Sequence, residues 1–116
     1  MKKILIIDDS PNNIMLLSEM LEEKGYEVIS AVNPEQGILV FDNNPDLHAV
    51  VSDYDMQEKK TGAVVIREIK AKNPNMLCVL MSMADPPDKA SDVGAIFICR
   101  FKSNAEELLL EALEQM

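Results

Sequence analysis

The stretch Ile4-Leu5-Ile6-Ile7-Asp8-Asp9-Ser10-Pro11 limits the fold of this chain more than any other. Four consecutive aliphatic residues offer no polar face to solvent, so they suit a strand covered on both sides, as in the middle of a parallel sheet. Ser10 followed by Pro11 suits a helix N-terminus with proline at the first helical position. Two acids therefore stand at the carboxyl end of a central strand, just ahead of a helix, where open α/β sheets place their ligands. Adjacent carboxylates repel each other. A hard divalent cation such as Mg²⁺, which prefers carboxylate and water oxygens, is the simplest partner that offsets the repulsion. The alternative is an Asp-rich turn in which Asp9 or Ser10 serves only as a cap.

The same alternation continues along the chain. Ile14, Leu17 and Leu21, with Met20 beside them, recur at helical spacing and predict an amphipathic helix that stops near Gly25. Tyr26 to Val32 reads as a second strand. Asn33-Pro34-Glu35-Gln36 is a helix start with a cap, a first-turn proline and a capping-box partner, ahead of Ile38, Leu39 and Phe41. Asn43-Asn44-Pro45-Asp46 is a turn cluster. A third strand, His48 to Asp53, again ends in an acid, and a polar loop from Tyr54 to Thr61 contains Asp55. Gly62 opens a helix carrying Val65, Ile66 and Ile69, broken at Asn73-Pro74. Met76 to Met81 is a fourth apolar strand leading to Ser82, and Met76, Met81 and Met83 suit core or rim packing. The two prolines in Asp85-Pro86-Pro87-Asp88 allow at most a short helix before Gly94. Ala95 to Cys99 is a fifth strand. Ser103-Asn104-Ala105-Glu106 forms a capping box for a last helix bearing Ala105, Leu108, Leu109, Ala112 and Leu113. Five β-α units imply a parallel sheet with helices on both faces, a doubly wound sandwich.

With 116 residues, 47% of them hydrophobic, the chain suits one domain, residues 1–116, with a real core. Its formal charge of −9 argues against direct nucleic-acid binding and against an anionic membrane surface. The apolar run after Met1-Lys2-Lys3 is too short for a signal-peptide core, and no segment approaches a membrane span. The expected location is therefore cytoplasmic. Cys78 and Cys99 lie in apolar runs and are expected to be small, buried, reduced thiols. His48, the one histidine, reads as structural.

If the strand order is 2-1-3-4-5, the first, third and fourth strands are neighbours. Asp8, Asp9, Asp53 and Ser82 then face one crevice at the switch point of the sheet. Three acids, one hydroxyl and no catalytic histidine suit Mg²⁺-dependent phosphoryl chemistry. With these residues in order, the chain resembles the receiver domain of bacterial two-component response regulators. The resemblance rests on Asp8-Asp9, Asp53 with Met56 three residues on, Gly62, Ser82, Gly94-Ala95 and Phe97, and covers nearly the whole chain.

The resemblance implies a flavodoxin-like α/β sandwich with a five-stranded parallel sheet of order 2-1-3-4-5. It implies Asp53 as acceptor of a phosphoryl group from a histidine kinase or phosphotransferase. Asp9 and Asp53, with Asp8 through water and the backbone carbonyl of Asp55, would hold Mg²⁺. Ser82 takes the position of the switch hydroxyl and Phe97 that of the switch aromatic. Output passes to an unidentified protein or domain, and no conventional substrate turnover is expected.

The chain also departs from the family pattern. Gln57 stands where proline usually follows the methionine, Gly62 comes one residue late, and the stretch from Ser82 to Gly94 is short. At the end of the fifth strand Arg100 and Phe101 replace Lys and a cis-proline, with Lys102 as another possible source of the cation. A degenerate receiver that binds partners without phosphorylation is the alternative reading. Asp53-Tyr54-Asp55 also fits the Asp-x-Asp motif of haloacid-dehalogenase-like phosphatases, but there it follows the first strand rather than the third. A flavodoxin-like FMN site would need a Ser/Thr/Gly-rich loop where Asp8-Asp9-Ser10-Pro11-Asn12-Asn13 stands.

Overall fold

The computed structural model describes residues 1–57, 59–83 and 90–116. Its elements run β1 Lys3–Ile7, α1 Pro11–Glu23, β2 Glu27–Ala31, α2 Pro34–Asn43, β3 Ala49–Asp53, α3 Gly62–Lys72, β4 Leu77–Ser82, β5 Ile96–Cys99 and α4 Ala105–Leu113. Among the described residues between β4 and β5, Ala90–Val93 form a 3₁₀ turn. The Asp85-Pro86-Pro87-Asp88 stretch lies outside the described residues.

All four strand pairings are parallel, and the order is β2-β1-β3-β4-β5. Ile4, Leu5, Ile6 and Ile7 are each no more than 1% exposed, as a strand between two helical layers requires. Alternation along the strands divides the core. Leu5, Ile7, Val50, Cys78 and Leu80 point to the side covered by α2 and α3, where Val65, Ile66 and Ile69 meet them. Ile4, Ile6, Val51, Val79 and Ile98 point to the side covered by α1 and α4, against Leu17, Leu21, Leu109 and Leu113. Burying each of these aliphatic side chains contributes about 1.5–3 kcal/mol.

The helix starts follow from local hydrogen bonding. Ser10 Oγ accepts from the backbone N–H of Asn13, Asn33 Oδ1 from that of Gln36, and Thr61 Oγ1 from that of Val64. The end of α1 is a Schellman motif: the N–H of Gly25 donates to Glu22 O and that of Tyr26 to Leu21 O, with Gly25 at φ +89°.

Several expectations need correction. Ser103 does not cap α4. The chain leaves β5 through turns in which the N–H of Lys102 donates to Cys99 O and that of Ala105 to Lys102 O. The helix therefore begins one residue later, with Asn104 at the cap position and no side-chain cap bond. Leu39 is 59% exposed, because it lies about 100° round the helix from Ile38, which packs on the core. Met83 is 54% exposed rather than packed in the rim. Cys99 is half-buried, on the edge strand, while Cys78 is fully buried and burial raises its thiol to about 12. Neither cysteine is in a disulfide. His48 is structural, accepting the Lys3 backbone N–H on Nδ1 while its backbone N–H donates to Lys3 O.

Candidate functional site

The carboxyl ends of β1 and β3 bring three acids together. One oxygen each from Asp8, Asp9 and Asp53 lies within 4.8 Å of the others. Asp8 is held most firmly. It is 1% exposed, and Oδ1 accepts the backbone N–H of Ser10 at 2.9 Å, so the first turn of α1 faces the carboxylate with its positive end. Asp9 is the most open of the three. Asp53 ends β3, and the ladder to β4 continues past it through the Tyr54 N–H donating to Met81 O at 2.9 Å.

Arg100 enters this cluster from β5. Its backbone N–H donates to Ser82 O at 2.9 Å, which extends the β4–β5 ladder by one residue and directs the side chain over the strand ends. Nη2 donates to Asp8 Oδ2 at 2.6 Å, and Nε donates to Asp53 Oδ1 at 3.3 Å. One planar guanidinium thus spans two carboxylates, which a lysine ammonium on its flexible stem does not do as a fixed fork. Lys102 lies two residues further on, exposed, in the turn before α4. Of the two cations that sequence left open, Arg100 is the one at the acids. Ser82, 2% exposed, ends β4 beside it.

Burial pushes the Asp53 carboxyl up from its ordinary 3.8 to about 6. Arg100 beside it pulls the other way, and the negative charges of Asp8 and Asp9 add to the rise. The Asp53 carboxylate is thus crowded with like charge, and a second cation would relieve it. The donor set fits Mg²⁺, because it is all hard carboxylate oxygen and closely spaced.

The other named residues sit around this centre. Asp55 is exposed in the β3–α3 loop, and its side chain is outside the acid cluster. Phe97 is half-buried against the core on the α2–α3 side. Gly62 has a steric role: a Cβ there would lie 2.1 Å from the carbonyl oxygen of Asp53 and 2.9 Å from Leu80 Cδ1. Its own N–H donates to Tyr54 O at 3.0 Å, so α3 starts pressed against the backbone of Asp53 and Tyr54. No peptide bond among the described residues is cis, including that between Arg100 and Phe101. Asn13 was missed by sequence reasoning. Its Nδ2 donates to Asp8 Oδ2 at 3.4 Å, and a polar residue in the first turn of the helix after the acid pair was the available signal.

A family model described as the response regulator receiver domain matches residues 4–114. The chain belongs to this family. Among curated relatives, the transcriptional regulatory protein CpxR of Klebsiella pneumoniae is 29% identical over 89 residues, 77% of this chain and 37% of that protein. The transcriptional regulatory protein GlrR of Escherichia coli is 28% identical over 113 residues, 96% of this chain and 25% of that protein. The receiver domain thus spans well under half the length of these two regulators. Among solved structures, the response regulator TrrA of Thermotoga maritima, in complex with Mg²⁺ and BeF, superposes with a TM-score of 0.87 at 29% identity, each chain covered in full. A receiver domain protein from Clostridium thermocellum superposes with a TM-score of 0.86 at 28% identity, over 99% of this chain and 93% of the other. The five-stranded parallel sheet of order 2-1-3-4-5 is the fold they share. No helix among the described residues is long and apolar enough to cross a membrane.

Proposed function

We propose that this receiver domain is a phosphorylation-driven switch in which Asp53 accepts a phosphoryl group from the phosphohistidine of a sensor kinase or phosphotransferase. The observation that carries the reading is the placing of Asp53 among Asp8, Asp9 and the Arg100 guanidinium at the carboxyl ends of adjacent strands. An oxygen of the Asp53 carboxylate attacks phosphorus as the P–N bond of the donor breaks. The histidine nitrogen leaves with the bonding pair. Asp8, Asp9 and Asp53, with the backbone carbonyl of Asp55, would hold Mg²⁺, which when bound offsets charge on the phosphoryl oxygens. Arg100 supplies a charged N–H donor to the transferred group, in the place of the family's lysine. Ser82 offers a hydroxyl to the same group, and Phe97 takes the aromatic position whose burial follows it.

The domain assists its own phosphorylation and dephosphorylation without turning over a conventional substrate. Its surroundings are cytoplasmic, and its output runs through protein contacts, with no direct role for nucleic acid or membrane. Incubation with Mg²⁺ and acetyl phosphate should add the mass of one phosphoryl group, and the gain should vanish in Asp53→Ala and in chelator.

A second reading, a degenerate receiver that binds its partner constitutively, is favoured by the Arg100 bonds, which give the acids a counter-charge without any metal. The same experiment separates the two. A folded protein that gains no mass at any donor concentration belongs to the second.

A further inference from the structure

Asp8 Oδ2 has two donors on it, Arg100 Nη2 at 2.6 Å and Asn13 Nδ2 at 3.4 Å, and a carboxylate oxygen offers two lone pairs. Its Oδ1 accepts one donor, the Ser10 N–H, and so faces the start of α1. A cation reaching Asp8 Oδ2, directly or through a water, must therefore displace a donor. The same guanidinium also draws on Asp53 Oδ1. Arg100 is 18% exposed at its side chain against 1% for Asp8, so the pair is shielded from solvent and is screened much less than a surface pair. Bringing a dication onto oxygens already facing a guanidinium sets two cations side by side in that environment.

We infer that Arg100 is a tethered cation that competes with Mg²⁺ for the acid cluster: the Arg100–Asp8 pair and the bound metal exclude each other, so metal entry opens that pair. The inference rests on the Mg²⁺ site proposed above. In the metal-free domain Arg100 keeps three crowded carboxylates tolerable. Once the metal is in, the guanidinium is released from Asp8 and is available to an incoming phosphoryl group. The cost of that release lowers the affinity of the cluster for Mg²⁺. Lysine at this position carries the same charge but cannot hold two carboxylates as a rigid fork, so it competes less well.

Calorimetric titration of Mg²⁺ into the whole chain tests this with wild type, Arg100→Lys and Arg100→Gln. Both variants should bind one ion at least fivefold more tightly than wild type. The lysine variant keeps the charge and guards against loss of folding in the glutamine one. In wild type, the ¹⁵Nε resonance of Arg100 should shift along the same Mg²⁺ binding curve. Equal or weaker binding in both variants, or an Arg100 resonance that does not move as wild type saturates, would overturn the competition while leaving the metal site standing. No Mg²⁺ binding by any of the three proteins would overturn the metal site itself, and the competition with it.

Discussion

Gln57 sits at φ +51°, in the left-handed region that a side chain with a Cβ rarely adopts. A pyrrolidine ring is locked near φ −65° and cannot adopt this conformation, so proline does not fit at this position. Gln57→Gly should raise stability by up to ~1 kcal/mol and Gln57→Pro should lower it by more, both read from denaturant midpoints. Gly62 is constrained by space rather than by φ. A methyl group would overlap the Asp53 carbonyl, so Gly62→Ala should cost about 2 kcal/mol or more and slow phosphorylation together with it. The acids and Ser82 stood out in sequence because each lies at the end of a mainly apolar strand, with Ser52 alone between the apolar run and Asp53. The choice between Arg100 and Lys102 was not, since both follow the fifth strand. It turns on one backbone bond, from the Arg100 N–H to Ser82 O, which keeps Arg100 in the strand's direction while Lys102 is already in a turn.

The elements show where pattern suffices and where it does not. The helices α1, α2 and α3 begin with Ser10, Asn33 and Thr61 as capping residues, and the side chain of each makes the bond that ends the search for a partner. Ser103 carried an equally good signature and is passed over, because the turns leaving β5 carry the chain past it before the helix can start. A capping box is a local signal, and tertiary placement of the preceding strand overrides it. Gly25 closes α1 at φ +89° with open space around it, so Gly25→Ala should cost only the conformational penalty, about 1 kcal/mol, seen as a small drop in melting temperature without loss of function. By contrast Ile66→Ala, at a side chain with no exposure in the α3 core, should cost about 2–5 kcal/mol.

At the scale of the whole molecule, the alternation of apolar runs with amphipathic stretches gave a parallel doubly wound sheet, but it holds nothing about which strand lies beside which. The order 2-1-3-4-5 came from the family resemblance and from the need to bring Asp8, Asp9, Asp53 and Ser82 to one crevice. The crevice also shapes the pH response of the fold. The Asp53 carboxyl is pushed up to about 6 by burial, so between 3.8 and 6 the folded state binds more protons than the unfolded one. Stability owed to this group is present below that window and is lost as pH rises through it. Asp53→Asn should therefore match wild type near pH 4 and exceed it by about 1–2 kcal/mol at pH 7.5, after allowance for solvent screening at a partly open site. The central claim is that Asp53 itself takes the phosphoryl group. Treating the phosphodonor-reacted protein with borohydride reduces an acyl phosphate to an alcohol, and peptide mass spectrometry then locates the change. Reduction at Asp53 alone, dependent on Mg²⁺, is the predicted result. Reduction at Asp8, Asp9 or Asp55, or none at all in protein that remains folded, would contradict it.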